Sequence, residues 1–469
     1  MIFNSLEFLL FLPVVFLLYW FASRKSAWQN ALIVVASCVF YGWWSWKLLF
    51  LIIGVITAGY TAGCLIEKLA DKQKARKGVA TLFIVAILSI LATFKYFNFF
   101  AENLIALLKS LGFFPGMITV KLVLPIGISF YTFQAIGYIV DVYKGRVAAE
   151  RNFITFTAFI SFFPQLVAGP IERAANLLPQ FNKRRTFDYA LAADGMKQML
   201  WGFFKKLAIA DNCGGMCNVI FNNFQEFSGT TLIYGAVLFT IQIYSDFSGY
   251  SDIAIGSAKL FGIRLTQNFN NPYFAHNIHE FWRRWHISLT SWFRDFVYIP
   301  LGGNRHGKLR QALNTFIVFT TSGLWHGANW TFVTWGAYNA ILYIPFIFSK
   351  NKGKAPVSKA VKPFAVMLTF CLVVIGFTIF RSETMLDAVA YFYYIAANFS
   401  LALPEVPVTP LFYACLMFAI EWIGRRGSYG IEFVKDIKYT VARYAIYYIL
   451  ILIALMKVTE GTQFIYFQF

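Results

Sequence analysis

Apolar runs long enough to cross, or nearly cross, the roughly 30 Å hydrocarbon core of a bilayer recur along the whole chain. Charged residues make up only 13% of the 469 residues and hydrophobic residues 58%, whereas a water-soluble domain has about 25% charged residues. We therefore predict an all-α, polytopic membrane protein with on the order of eleven helices, some of them re-entrant. The runs cover residues 8–21, 31–50, 51–66, 79–97, 120–140, 153–167, 196–210, 231–244, 315–347, 364–380, 411–423 and 444–456.

The distribution of basic residues predicts the orientation of these helices. No positive charge precedes the first run, and Arg24 and Lys25 follow it, which is the reverse of a cleavable signal peptide. The positive-inside rule places the later basic clusters in the cytoplasm, so we expect both termini on the extracytoplasmic side. These clusters lie at residues 68–77, 144–151, 183–185, 305–310, 350–362 and 425–426.

Charge and cysteine content limit the partners and the number of domains. The net charge of +19 is divided among the loops between the runs, so it indicates topology in a lipid bilayer and argues against a nucleic-acid partner. The six cysteines fit no metal-ligand spacing, and we expect no bound metal. No long linker or repeat interrupts the chain, so we predict one domain over residues 1–469 that ends in an aromatic tail, residues 457–469.

Ionisable residues at membrane depth are costly, and in this sequence they concentrate in the middle third. All five histidines lie within 51 residues, from His276 to His326. The segment FTTSGLWHGANWTFVTWG places His326 inside an apolar run, where a neutral imidazole can act as a general base. Gly323 and Gly327 beside it permit close helix packing or a break in the helix. A packed histidine bonded to one backbone carbonyl is the structural alternative.

The densest polar segment, NIHEFWRRWHISLTSWFRDFVYIPLGGNR, begins at Asn277. Asn277 and Glu280 have the spacing of a helix N-cap with an acidic partner, so we predict that a helix begins here. Glu280 can then pair with Arg284, four residues on, while Arg283 and His286 project from an adjoining face. The alternation of Trp, Arg and Phe favours a helix at the membrane interface or at a polar cavity.

Further segments contribute candidate residues. LGGNR supplies a glycine turn whose backbone N–H groups, together with Arg305, can hold phosphate. IYSDFSGYSDIAIG places Asp246 and Asp252 in an otherwise apolar run, where either can orient a histidine or pair with an arginine, and pairing is the favoured role. LPIGISFYTFQAIGYIVDVYKG and FFPQLVAGPI are rich in Gly, Pro, Ser and Gln, which predicts broken helices that line a cavity, a feature that transporters share.

Five segments together resemble one known family: LPIGISFYTFQAIGYIVDVY, FFPQLVAGPI, YSDFSGYSDIAIG, QNFNNPYFAHNIHEFWRRWHISLTSWFRDFVYIPLGGNR and SGLWHGANWTFVTWG. They are similar to the bacterial polysaccharide branch of the membrane-bound O-acyltransferases, the branch that O-acetylates alginate and peptidoglycan. The resemblance extends from FNSLEFLLFLPVVFLLYW near the start to FIYFQF at the end. It implies a bowl-like helical fold with a transmembrane tunnel, located in the bacterial cytoplasmic membrane.

The resemblance also implies an active site. His326 of the WHG motif corresponds to the catalytic histidine of the family, and His286 of the RRWHIS motif corresponds to the second active-site residue. Acetyl-CoA would enter from the cytoplasm, and His326 would act as general base on the acceptor hydroxyl. We expect His286 or Asn329 to stabilise the oxyanion, and Asp246 to position the substrate or a histidine.

Three arginines are candidates for binding the cofactor. Arg283, Arg284 and Arg305 can each hold a phosphate of coenzyme A. Helix pairing or a purely topological role is the alternative for each of them. The reaction needs no metal.

The last seven residues, QFIYFQF, form an aromatic ending around Tyr466. We expect Tyr466 to accept acetyl from the His326 centre on the far side of the membrane. It would pass the group to an exported serine O-acetyltransferase, SGNH-type or similar, that modifies a cell-envelope polysaccharide. An aromatic belt that anchors the last helix is the alternative.

Three other functions compete with this interpretation. Within the same fold, the donor can be D-alanyl or another acyl thioester on a carrier protein. A polysaccharide or lipid transporter would explain the broken helices and intramembrane charges, but it predicts inverted repeats, and the RRWHIS and WHG segments have no second copy. A scaffold for envelope assembly would tolerate the loss of His326, whereas the enzyme would not.

Overall fold

The described part of the protein, residues 1–22, 25–113, 125–167, 169–349, 358–457 and 464–465 of a computed structural model, consists of helices and their connections. The predicted all-α fold class is confirmed. In chain order the first helices are α1 (Leu6–Ala22), α2 (Ser26–Gly42), α3 (Leu49–Lys68), α4 (Gln73–Ser110), α5 (Ile128–Tyr143), α6 (Phe153–Ser161), α7 (Phe163–Leu166), α8 (Ala174–Asn182), α9 (Tyr189–Phe203) and a π-helix, π1 (Phe204–Ala210).

The helices continue without a strand through the rest of the described residues. They are α10 (Asp211–Asn222), α11 (Gly229–Leu260), α12 (Ile278–Arg284), α13 (Ile287–Phe293), a second π-helix, π2 (Arg294–Tyr298), α14 (Gly307–His326), α15 (Trp330–Phe348), α16 (Lys362–Arg381), α17 (Met385–Ala397), α18 (Thr409–Gly424) and α19 (Thr440–Met456).

Several helices have the length and composition needed to cross a bilayer. Within the described residues, four meet both criteria: α3 with the turn before it (Trp46–Lys68), α4, α15 and α16. Shorter apolar helices accompany them, among them α1, α2, α18 and α19. The predicted multi-pass membrane protein is thereby confirmed, while the bowl, the tunnel and the orientation of the termini stay predictions.

One apolar run, residues 315–347, is divided between two helices. α14 ends at His326, and α15 begins at Trp330 with the side chain of Asn329 accepting a hydrogen bond from the backbone N–H of Thr331 at 3.1 Å. The two helices pack so closely that a Cβ on Gly323 would collide with the carbonyl oxygen of Phe332. Both consequences predicted for the glycines of this segment, a break and a close approach, therefore occur together.

The helix predicted at Asn277 exists but is short. The Asn277 side chain accepts a hydrogen bond from the backbone N–H of Glu280 at 2.8 Å, and Glu280 pairs with Arg284 at 2.6 Å. α12 ends at Arg284, and His286 has a left-handed backbone with φ of 42°. The prediction that Arg283 and His286 share one helical face is wrong, because this left-handed residue separates α12 from α13.

The chain folds into two compact units. The first comprises Met1–Ala192 and Ala258–Leu265, and the second comprises Ala193–Ser257 and Thr266–Phe469. In the first unit, the buried guanidinium of Arg185 donates hydrogen bonds to the hydroxyl of Tyr19 at 2.6 Å and to the side-chain oxygen of Asn30 at 2.8 Å. The histidine-rich segment belongs to the second unit. The single-domain organisation stays a prediction.

Candidate active site

The second unit contains a cavity of about 440 Å³ that is lined by both candidate histidines, His286 and His326. Forty positions separate them in the sequence, so the fold, and not the spacing of the motifs, brings them to one space. The other lining residues are His279, Trp282, Arg283, Trp285, Ile287, Leu289, Thr290, Ser291, Phe293, Arg294, Tyr298, Gln311, Thr315, Val318, Phe319, Ser322 and Tyr343.

His326 is the last residue of α14 and is buried. Its ring lies 5.2 Å from Trp335 and 5.4 Å from Phe380, nearly perpendicular to both, so aromatic edges fix its orientation. The residues of α14 that line the cavity recur at helical spacing, which places them on one face of the helix. They are Gln311, Thr315, Val318, Phe319, Ser322 and His326.

His286 is held from behind by Asn268. Its Nδ1 lies 3.1 Å from the Asn268 side-chain oxygen, and that oxygen also accepts hydrogen bonds from the backbone N–H and the hydroxyl of Ser288. A backbone N–H can only donate, so the Asn268 atom that faces it must be oxygen. His286 Nδ1 must therefore carry the proton, and the neutral ring presents an unprotonated Nε2.

The surroundings of His286 favour its neutral form. The side chain is buried, and Phe247 packs against its ring at 4.7 Å in an edge-to-face arrangement. Burial lowers the pKa of His286, which lies between two short helices, to about 3. Nε2 has no hydrogen-bond partner among the described residues. The ring is therefore a buried acceptor at physiological pH.

The three arginines predicted to bind the cofactor have different surroundings in the structure. Arg283 lines the cavity and is exposed, so its guanidinium is accessible to a ligand. Arg284, the last residue of α12, pairs with Glu280 and donates to the carbonyl oxygen of Asn270 at 3.3 Å, so it joins the helix to the segment that precedes it. In the described chain, Arg305 is not part of the cavity lining.

In the glycine turn before α14, the backbone N–H groups predicted to hold phosphate form hydrogen bonds within the turn. The N–H of Gly302 donates to Ile299 and that of Gly303 donates to Tyr298, which ends π2. The backbone N–H of Arg305 donates to Gly302. Positive φ angles at both glycines, 105° and 57°, explain the residue type. These N–H groups are committed to the turn, which argues against a phosphate cradle here.

Asn329 and Asp246 lie outside the cavity lining as far as the chain is described. The amide group of Asn329 donates to the carbonyl oxygen of Glu383 at 2.7 Å while its oxygen caps α15. Asp246 pairs with Lys206 at 2.8 Å, and Asp252 pairs with Lys205 at 2.6 Å. Both aspartates are therefore paired, but their partners are lysines of π1 and not the arginines that the sequence predicted.

Tyr466 lies outside the described residues. Its neighbours Phe464 and Ile465 are described, and both are buried in the second unit. The backbone N–H of Ile465 donates to the carboxylate of Asp246 at 2.7 Å.

Sequence reasoning missed three residues of the site: Asn268, Arg294 and Ser322. Arg294 lines the cavity and pairs with Asp295 at 2.8 Å, and Ser322 lies one helical turn before His326. Ser322 could have been found from its four-residue spacing to His326. Asn268 has no such signal, because it meets His286 only through the fold.

Comparison with known proteins gives consistent matches. A model of the membrane-bound O-acyltransferase family matches residues 146–381, which include every cavity-lining residue. The chain is 42% identical over 386 residues to the probable alginate O-acetylase AlgI of Pseudomonas aeruginosa, covering 82% of this chain and 73% of that protein. It is 34% identical over 419 residues to the peptidoglycan O-acetyltransferase of Helicobacter pylori, covering 83% and 78%. It is 30% identical over 274 residues to the teichoic acid D-alanyltransferase of Bacillus subtilis, covering 55% and 69%.

Proposed function

The chain belongs to the membrane-bound O-acyltransferase family, and from this premise we propose that it transfers acetyl from acetyl-CoA toward a cell-envelope polysaccharide. The observation that carries the proposal is the shared cavity of His286 and His326. The names of its relatives, an alginate O-acetylase and a peptidoglycan O-acetyltransferase, support the acyl group and the class of acceptor.

Acetyl-CoA fits the chemistry of the cavity. Arg283 and Arg294 line it and are both exposed, so they can pair with the phosphate groups of coenzyme A. For Arg294, the phosphate would share or replace the bond to Asp295. Aromatic and aliphatic side chains form most of the remaining lining, which suits the pantetheine arm and excludes water from the thioester.

In the proposed reaction His326 is the general base. It takes the proton of the acceptor hydroxyl as that oxygen attacks the acetyl carbon of the thioester. When the tetrahedral intermediate collapses, the carbon–sulfur bond breaks and the coenzyme A thiolate takes the proton from the His326 imidazolium. The acetyl group ends as an oxygen ester, and His326 is neutral again.

His286 acts as a hydrogen-bond acceptor in this scheme. Its unprotonated Nε2 can accept a hydrogen bond from an amide N–H of the pantetheine arm and so hold the thioester in line with the acceptor oxygen, while Asn268 fixes the ring through Nδ1. The same tautomer prevents the neutral ring from donating to an oxyanion, so His286 is not the oxyanion donor in this scheme. Ser322 has that role instead, because its hydroxyl can donate a hydrogen bond and because it lines the cavity one turn before His326.

The acetyl group leaves on the extracytoplasmic side in this proposal. Tyr466 receives it as an ester and transfers it to the serine of an exported SGNH-type or similar O-acetyltransferase, which acetylates the polysaccharide. Supporting this route, the described tail residues beside Tyr466 are buried in the unit that holds the cavity. The bacterial relatives are consistent with a cytoplasmic-membrane location.

The test is incubation of the purified full-length protein with isotopically labelled acetyl-CoA, followed by peptide mass spectrometry. We expect label on the C-terminal peptide of the wild type and its loss in His326→Ala and Tyr466→Phe. His286→Ala should lower labelling strongly. His306→Ala is the matched control, because His306 is exposed in the turn before α14 and is not part of the cavity lining that the structure describes.

The outcomes separate the competing functions. Labelling that persists in His326→Ala overturns the catalytic assignment. Transfer to an added partner without label on the C-terminal peptide removes Tyr466 from the route but keeps the enzyme. If a D-alanyl thioester on a carrier protein labels the protein and acetyl-CoA does not, the acyl donor is the carrier-bound D-alanyl group and not acetyl-CoA.

A further inference from the structure

Two adjacent lysines on π1 are buried and paired with aspartates of α11. Lys206 lies 2.8 Å from Asp246, and Lys205 lies 2.6 Å from Asp252. Both lysines are at most 2% exposed. Buried ion pairs seldom increase stability over apolar residues, so such a pair calls for another reason. Both pairs join π1 to α11, but their other partners differ: Lys206 also pairs with Asp211 at 2.9 Å, and Asp252 also accepts a hydrogen bond from Gln198 at 2.7 Å.

Only the Asp246 pair touches the C-terminal segment in the described structure. Asp246 Oδ2 accepts a hydrogen bond from the backbone N–H of Ile465 at 2.7 Å, while Oδ1 faces Lys206. The neighbouring Phe464 is completely buried, with its ring 4.2 Å from Tyr250 and 5.9 Å from Phe247. One charged acceptor and two aromatic rings therefore hold two consecutive residues of the tail.

This anchoring point is close to the candidate active site. The ring of Phe247 lies 5.9 Å from that of Phe464 and 4.7 Å from that of His286. Asp246 and Phe247 are consecutive residues of α11, so the same turn of helix holds the tail and packs against His286. A shift of the tail at Ile465 would therefore reach His286 through one aromatic ring.

We propose that Asp246, oriented by Lys206, is a positioning residue that fastens the C-terminal segment at Ile465 and so sets where the chain end is presented to the catalytic cavity. The inference rests on the acyl-relay part of the proposed function. Lys206 binds one carboxylate oxygen, which leaves the other directed to the tail backbone. Because the contact is to a backbone N–H, it fixes the register of the tail without depending on the Ile465 side chain. Phe464 supplies the packing that excludes water from this hydrogen bond.

The first test compares Asp246→Asn with Asp252→Asn in the full-length protein. Both variants weaken a buried aspartate–lysine pair between π1 and α11, but within the described residues only Asp246 bonds to the tail. Two quantities are measured. The first is the rate of backbone hydrogen exchange in the C-terminal peptide. The second, called the transfer ratio, is the rate of acetyl transfer to that peptide divided by the rate of acetyl transfer to a small hydroxyl acceptor. In Asp246→Asn we expect exchange to accelerate and the ratio to fall about tenfold, the size expected for losing one hydrogen bond to a charged group. Tail exchange in Asp252→Asn should match the wild type.

A second pair of variants avoids any change to the buried charges. Ile465→Pro removes the N–H donor, whereas Ile465→Ala removes the same side chain and keeps the donor. We expect faster tail exchange and a lower ratio in the proline variant than in the alanine variant. Equal behaviour of these two variants, or wild-type tail exchange in Asp246→Asn, overturns the proposal.

These readouts keep the two proposals apart. If the wild type transfers no acetyl to any acceptor, the proposed function fails. Hydrogen exchange still decides then whether Asp246 fastens the tail. If transfer occurs and the tail is fastened but the ratio does not change, Asp246 is only structural and the positioning role is overturned.

Discussion

At the residue scale, the protonation state and tautomer of His286 depend on the uncharged amide oxygen of Asn268. An amide oxygen accepts the Nδ1 proton without adding a negative charge, so burial dominates and the ring stays neutral. A carboxylate at the same position would also accept the proton but would stabilise the imidazolium. The amide therefore selects a tautomer while leaving Nε2 a weak base.

This distinction predicts the behaviour of Asn268→Asp. A carboxylate beside Nδ1 raises the pKa of His286 from about 3 toward its usual range. His286 acts in its neutral form, so activity is lost when the ring is protonated as the pH falls through the pKa of His286. The acid limb of acetyl transfer should therefore move to higher pH in the variant, as a pH–rate profile measures.

The control for this prediction is Ser251→Ala, which removes the hydroxyl that accepts a hydrogen bond from the Asn268 amide nitrogen at 3.4 Å and introduces no charge. Its acid limb should stay where the wild type has it. An unchanged limb in Asn268→Asp would show that His286 does not act in its neutral form.

Single residues were predictable where a rare type occurs at an unusual depth. The clustered histidines marked the region, the apolar run around His326 singled out that residue, and the resemblance of the RRWHIS motif to the family indicated His286. The choice between Arg283 and Arg284 was not predictable, since it depends on Glu280 pairing with one of two adjacent arginines. Asn268 was missed for a similar reason, because an asparagine in a polar loop resembles many others until the fold places it behind His286.

At the element scale, the position of His326 depends on the packing of α14 against α15. Gly323 faces the carbonyl oxygen of Phe332, and Gly336 faces that of Phe319, with no space for a Cβ at either glycine. The helices are thus in backbone contact near the residue that ends α14.

Gly323→Ala should therefore separate the two helices and displace His326. We expect overpacking to destabilise the fold by about 1–3 kcal/mol and acetyl transfer to fall with it. Thermal unfolding in detergent and the transfer assay measure the two effects. Gly54→Ala in α3 is the control, because a Cβ there meets nothing within 4 Å. Equal melting temperatures for the two variants would contradict the packing argument.

The short elements α12 and π2 carry the two arginines that line the cavity. Arg283→Gln and Arg294→Gln should each raise the KM for acetyl-CoA about three- to tenfold with a smaller change in kcat, because each loses a charge-assisted phosphate contact. Arg305→Gln tests the alternative, since Arg305 lies in the turn outside the described lining. A larger effect on KM from Arg305 than from the other two would reassign the cofactor contacts.

Element existence was easier to predict than element boundaries. The apolar run from 315 to 347 gives no sign in its hydropathy of the break that ends α14 at His326. The break follows from Gly327 and from the capping side chain of Asn329, which the sequence offered, beside His286, as one of two candidates for stabilising the oxyanion. A residue type that suits both a cap and a catalytic contact is ambiguous until its neighbours are known.

At the scale of the whole molecule, α4 offers a direct test of orientation. It has 38 residues and is therefore about 57 Å long, well beyond the hydrocarbon core. Its first turns carry Lys74, Arg76 and Lys77, and the positive-inside rule places them in the cytoplasm. Ser110 at the other end should then face the extracytoplasmic side.

We expect Ser110→Cys to react with a membrane-impermeant thiol reagent in intact cells, in a background without the six native cysteines. Lys74→Cys should react only after the membrane is permeabilised. The reverse pattern would invert the proposed topology and place both termini in the cytoplasm.

Composition alone predicted the membrane class and the helical fold, because few soluble chains are so poor in charge. The cavity was not predictable in the same way. Its lining comes from α12, α13, π2, α14 and α15, and their arrangement depends on a left-handed backbone at His286 and on the close contact of α14 with α15. These are properties of the packing, which hydropathy does not encode.

The cavity-lining face of α14 also limits how the gene can vary in length. Gln311, Thr315 and Ser322 face the same space as His326 only while the number of residues between them stays fixed. One codon inserted between them would rotate the earlier residues by about 100° relative to His326. In-frame insertions and deletions that preserve function should therefore accumulate in the connections before Gly307 and after Phe348, and be absent from the codons between the glycine turn and His326.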